Sequence, residues 1–195
     1  MSDPEKRPEA PLVSVVIPNH NGRGVLARCL DSLRAQAFHD FEVIVVDNGS
    51  SDGSVAMVEE DYPEVTLVRS PVNLGFGAAN NLGFERARGE YYALLNNDAV
   101  ADPGWLEQLV SAARRAAPTC GMWACKVLLA GEDAIIDTVG HLLYGDGLNV
   151  GRGRGERDVG QYEAEEEVLF PSGCAALLSS RMIQEIGGFD PDFFA

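Results

Sequence analysis

The chain is 195 residues long, 46% hydrophobic and 23% charged, with a formal net charge of −15 from 15 basic and 30 acidic side chains. That is enough apolar material for one globular core without covalent staples, and the acidic excess excludes sequence-independent nucleic-acid binding, which depends on Lys and Arg neutralising phosphates. No apolar run reaches the roughly 20 residues of a membrane span, and Cys29, Cys120, Cys125 and Cys174 form no Cys-x-x-Cys pair, so they read as buried thiols rather than a disulfide or zinc framework.

Residues 1–11 are charged and proline-rich, lack the apolar stretch of a signal peptide, and read as a disordered tail; cytoplasm is the default compartment. Residues 12–195 read as one domain. Its first half alternates regularly. Residues 12–18 and 41–46 are runs of β-branched residues and predict buried strands, with a helix at 25–37 between them, where apolar residues recur at helical spacing. A helix over 52–60, with Ser51 or Asp52 near its cap, leads to a third strand at 65–69. A helix over 77–88 stops at Gly89, a fourth strand covers 91–95, and a helix starting at Pro103 runs to residue 117. Strand–helix alternation of this kind predicts an α/β fold with a parallel sheet and right-handed crossovers.

The second half is less regular. Residues 122–129 and 134–139 predict strands, residues 145–160 are glycine-rich and read as a mobile loop, and four glutamates over 163–167 read as a solvated face. Strand character returns at 168–170 and 174–179 around Pro171-Ser172-Gly173, before a short helix at 181–186.

Three apolar strands end in polar tips: Ile17-Pro18-Asn19, Val46-Asp47-Asn48 and Leu95-Asn96-Asn97-Asp98. In open α/β sheets ligands bind outside the carboxyl ends of the strands, so Asn19, Asp47 and Asp98 outline a polar site. Asp47 is an acceptor-only group suited to the N–H of a pyrimidine ring. Asp98 is the candidate metal ligand, because Mg²⁺ and Mn²⁺ need only one or two protein carboxylates when phosphates and waters complete the shell. Gly75-Phe76-Gly77 with Asn80 opens a helix where small residues let a phosphate approach the backbone. It nearly matches the dinucleotide-binding Gly-x-Gly-x-x-Gly, but follows the third strand rather than the first. His20 sits beside the first tip; His39 and His141 have no partner at ligand spacing.

These segments, in order, resemble the family 2 glycosyltransferases with the GT-A fold, particularly their rhamnosyltransferase-like branch. The resemblance rests on residues 15–21, 45–53, 73–77, 95–98 and 187–194. It implies a Rossmann-like, mainly parallel sheet with helices on both faces. It also implies inverting transfer from a nucleoside-diphosphate sugar, such as dTDP-rhamnose or a UDP-sugar, to a glycan or lipid-linked acceptor in polysaccharide assembly, with peripheral association at the inner face of the cytoplasmic membrane. By position, Pro18, Asn19 and Asp47 would hold the nucleobase and ribose. Asn73, Gly75 and Asn80 would lie near the ribose and diphosphate. Asp98, with Asn96 in place of the family's first Asp, would hold Mn²⁺ or Mg²⁺. Gly173 and Cys174 would lie on the acceptor side, and residues 151–160 would form a lid. The family's general base follows the Phe-Phe-Ala segment, so it is expected beyond Ala195, in a catalytic domain incomplete at its C-terminus. Two alternatives remain: a non-catalytic nucleotide-sugar-binding module, and an NAD-dependent oxidoreductase resting on Gly75-Phe76-Gly77.

Overall fold

A computed structural model describes residues 10–131 and 133–194; the tail expected over 1–11 falls outside them except for residues 10 and 11, which lie outside any strand or helix. In chain order the elements are β1 (Val13–Asn19), α1 (Arg23–Arg34), β2 (Phe41–Asn48), α2 (Ser54–Asp61), β3 (Thr66–Ser70), α3 (Phe76–Phe84), β4 (Tyr91–Leu95) and α4 (Trp105–Arg115). The second half adds β5 (Met122–Ala124), β6 (Val127–Leu128), β7 (Ile136–Thr138), β8 (His141–Leu143), β9 (Asn149–Gly151), β10 (Ala175–Ser179) and α5 (Ser180–Ile186). Among the described residues no helix is long and apolar enough to cross a membrane.

The main sheet has six strands in the order β3-β2-β1-β4-β10-β5. The first four are mutually parallel, and β10 runs antiparallel to both β4 and β5. The alternation of side chains along each strand separates two cores. Val13, Val15, Ile17, Ala93, Leu95 and Leu177 face α1, α2 and α4. Val16, Ile44, Val46, Leu94 and Ala176 face α3 and α5. Both faces are covered, which is why these strands read as continuous apolar runs.

Several expectations are corrected. α2 begins at Ser54, two residues later than expected: Gly53 holds the cap position in a left-handed conformation, φ 82°, while the Asp52 carboxylate accepts the Ser54 N–H at 3.0 Å from just outside. Pro103 precedes the α4 cap, Gly104, instead of opening the helix. The strand expected over 122–129 breaks between β5 and β6, which belong to different sheets. The glycine-rich stretch is tied down. β9 pairs with β8, and Glu156 O and Gly155 N bond Ile136 on β7. Residues 168–170 contribute only a bridge, Phe170 to His141.

Candidate functional site

The sheet order places the site. From β1 the chain steps outward to β2 and β3 on one side, then returns to β4 on the other, so the β1/β4 junction is a topological switch point, where a crevice opens at the carboxyl ends. β1 and β4 stay paired only as far as Val16 opposite Leu94. Beyond that point the two tips diverge around a cavity of about 270 Å³, lined by Pro18, Asn19 and His20 from β1 and its end, Asn48 from β2, Asn73, Gly75 and Phe76 at the start of α3, and Asn96, Asn97 and Asp98 after β4.

Asparagine amides hold this rim by bonding one another. Asn19 is 1% exposed. Its Nδ2 donates to Ser54 Oγ at 3.1 Å and Ser50 Oγ at 3.3 Å, and its Oδ1 accepts from Asn97 Nδ2 at 2.8 Å. Gly22 lies under this pair; a methyl group there would collide with both amides, so the close approach requires glycine. His20 Nδ1 pairs with Asn48 O at 2.8 Å. Asn48 spans the next turn, donating to Asn73 Oδ1 at 2.9 Å and accepting the Leu74 N–H at 2.8 Å, while Asn73 Oδ1 also accepts the Gly75 N–H. These bonds set the start of α3. Gly75 has φ 81°, and a Cβ there would sit 2.8 Å from Phe194 Cδ2, so a side chain is excluded by conformation and by space. Asn81 clamps the C-terminal segment to α3, accepting the Phe189 N–H at 2.9 Å and donating to Phe189 O at 2.7 Å.

Asp98 is exposed at the mouth of the cavity. Behind it lie two thiols. The Cys29 thiol is buried and is pushed up to about 12, first by burial and then by the Asp98 charge; Cys174 is pushed up to about 11 for the same reasons. Both therefore stay protonated near neutral pH and are poor nucleophiles. Of the four thiols expected to be buried, only Cys29 is; Cys120 is exposed, and with a thiol-specific disulfide reagent at pH 8 it is expected to react rapidly, Cys174 slowly, and Cys29 only after unfolding. Rapid labelling of Cys29 in the native protein, mapped by peptide mass, would contradict this burial.

Of the residues singled out by sequence, the cavity brings together Pro18, Asn19, Asn73, Gly75, Asn96 and Asp98. Asp47 does not line it: the side chain is 5% exposed, and Oδ1 accepts the Ser50 N–H at 3.3 Å. Asn80 is fully buried one turn into α3, donating to Phe76 O at 2.9 Å with its Oδ1 unpartnered. Gly173 lies against Phe76, and Cys174 reaches the site through its carbonyl, which accepts the Asn96 N–H at 2.8 Å. Residues 151–160, expected as a lid, supply none of the cavity lining and pair with β7 and β8 instead. Sequence reading missed Asn48, Phe76 and Asn97 as lining residues. All three lie inside the quoted motifs, but which neighbour in a tip turns toward the crevice depends on sheet order.

Among the described residues no group of three or more His, Cys, Asp or Glu side chains could enclose a metal ion. The lining does fit an ion shared with a ligand. It offers one carboxylate, five asparagines, one histidine and no Lys or Arg, so an anionic ligand would find no Lys or Arg charge there, and one carboxylate is what Mg²⁺ or Mn²⁺ takes beside phosphate oxygens.

Comparison with known proteins agrees with this architecture. The family description "Glycosyl transferase family 2" matches residues 14–187. The chain is 28% identical over 181 residues to the uncharacterized glycosyltransferase RP339 of Rickettsia prowazekii (strain Madrid E), covering 93% of this chain and 54% of that protein. Among solved structures it resembles the mannosyltransferase PcManGT from Pyrobaculum calidifontis in complex with GDP-Man and Mn²⁺, with a TM-score of 0.66 at 23% identity over 95% of this chain and 49% of that one. It also resembles S. aureus TarS 1-349 in complex with UDP-GlcNAc, with a TM-score of 0.55 at 24% identity over 62% of this chain and 36% of that one. At these identities the two structures show the fold, which is GT-A. The chain spans about half the length of RP339 and of the mannosyltransferase.

Proposed function

The chain belongs to glycosyl transferase family 2, and on that premise we propose that it binds a nucleoside-diphosphate sugar in the crevice between the tips of β1 and β4, for transfer to a glycan or lipid-linked acceptor. The carrying observation is the lining itself: a lone carboxylate, Asp98, among amides, with no Lys or Arg. A diphosphate entering a protein of net charge −15 would find a favourable field at the start of α3, the positive end of a helix dipole, and at a divalent ion. Asp98 would hold that ion, with Asn96 and Asn97 beside it. When bound, the ion neutralises charge that develops on the diphosphate leaving group.

The chain's own residues bind and orient. Asn73 and Gly75 shape the approach to α3, and Asn19 fixes Asn97 in place. Pro18 and His20 wall the nucleoside side. Asp47, nearly buried, keeps acceptor capacity for a base N–H beside the Ser50 N–H that its Oδ1 accepts. Supporting the donor class, the two structural neighbours are complexes with GDP-Man and UDP-GlcNAc. The branch's dTDP-rhamnose remains part of the proposal.

Calorimetric titration with dTDP, UDP and GDP, each with and without Mn²⁺ and with NAD⁺ as control, tests it. Diphosphate binding that requires Mn²⁺ is the expected result, and the tightest nucleotide identifies the base. Metal-independent binding of NAD⁺ alone would replace this reading with the oxidoreductase one.

A further inference from the structure

The segment after β4 that carries Asn96, Asn97 and Asp98 belongs to no helix or strand until α4 begins at Trp105. A loop of this kind is ordinarily the mobile part of a site. Here one side of α1 and the turn beyond it grip that segment along its length. Cys29 Sγ donates to Asn96 O at 3.5 Å. Ser32 Oγ accepts the Ala101 N–H at 3.0 Å and donates to Cys29 O at 2.6 Å. Gln36, 2% exposed, donates from Nε2 to Asp102 O at 2.6 Å and accepts the Leu106 N–H through Oε1 at 3.1 Å. At the other end of α1, the cap residue Gly22 leaves the space that the Asn19–Asn97 pair occupies.

Cys29 and Ser32 share one face of α1 and Gln36 follows in the turn beyond it, but a surface that only filled the core would be apolar. Instead two fully polar side chains are buried there, and buried polar groups destabilise a core unless they are bonded. Every bond from Cys29, Ser32 and Gln36 that leaves α1 and its turn ends on backbone between residues 96 and 106.

We propose that α1 is a splint for the metal-ligand loop, and that Ser32 and Gln36 are positioning residues that hold the backbone from Asn96 to Leu106 so that Asp98 stands at a fixed place in the crevice. The functional half of this inference rests on the proposed role of Asp98; the mechanical half does not.

The variants Ser32→Ala and Ser32→Thr separate the possibilities, with Val58→Ala, a core residue on α2, as a control of comparable stability loss. Threonine keeps the hydroxyl and can bond the preceding turn of a helix as Ser32 does. Amide hydrogen exchange reads the loop directly. In Ser32→Ala, exchange at residues 97–102 should rise about tenfold above the change elsewhere, Mn²⁺-dependent UDP or dTDP affinity should fall about tenfold, and Ser32→Thr should restore both. Val58→Ala should raise exchange without singling out this loop and should leave affinity within about twofold of wild type. Loop exchange in Ser32→Ala that tracks Val58→Ala overturns the splint. Should the wild type bind no diphosphate, the proposed function fails, while the exchange comparison still decides whether α1 holds the loop. Selective loop exchange with unchanged nucleotide affinity would overturn the positioning role.

Discussion

Asp98→Ala is expected to weaken Mn²⁺-dependent nucleotide binding by about 100-fold or more, while the melting temperature of the metal-free protein stays within about 2 °C of wild type. Both parts follow from the site. Asp98 is exposed, and surface substitutions away from special features change stability by about 0.5 kcal/mol or less. Yet it is the only carboxylate lining the cavity among the described residues, and losing even an outer partner of a metal ligand costs about 10–100-fold in affinity. Asp98→Asn should lose nearly as much, because it keeps the shape and removes the charge, whereas Asp98→Glu should retain part. Calorimetry with UDP and Mn²⁺, checked by the paramagnetic signal of free Mn²⁺, measures each variant. Binding by Asp98→Ala within about threefold of wild type would move the ion elsewhere.

The second large effect concerns the scaffold. α3 lies flat on β1 and β2 because Gly83 has no side chain: a Cβ there would overlap Val16 Cγ1 and sit 3.3 Å from Val46 Cγ2. Val16 is buried and β-branched, so it cannot rotate aside. Gly83→Val is therefore expected to destabilise the protein by about 3 kcal/mol, at the upper end of overpacking costs. In a chain of this size that lowers the melting temperature by roughly 6–12 °C. The same substitution class has the opposite sign at Gly24 in α1, where nothing lies within 4 Å of a built Cβ: Gly24→Ala should stabilise by about 0.5 kcal/mol, the helix propensity gain near a helix start. Thermal denaturation of both variants checks the pair. A neutral Gly83→Val would mean that α3 can lift from the sheet, and with it the turn through Gly75.

The elements of the first half were legible because their signals are local. β4 occupies residues 91–95 as its run of apolar residues predicts, and β1 and β2 differ from expectation only at their ends, where assignments commonly vary by a residue or two. The polar tips were legible for the same reason, since the residue after an apolar strand can be read from the chain itself. The second half was not: β5 and β6 are short, and their separation into two sheets depends on β10 arriving from 50 residues downstream.

By itself the sequence determined which residues of the first half form strands, which polar residues sit at their carboxyl ends, and, through five ordered motifs, the family. Backbone propensity and the periodicities of 2 and 3.6 act over a few residues, so they are written locally. Only the tertiary structure decided that β4 lies beside β1, that Asn97 therefore meets Asn19 while Asp47 is left out of the cavity lining, and that Ser32 and Gln36 grip the Asp98 loop from beneath. Those contacts join residues roughly 70–80 positions apart, and they form because two apolar faces must be buried at once, a requirement of the whole sheet that no single segment expresses.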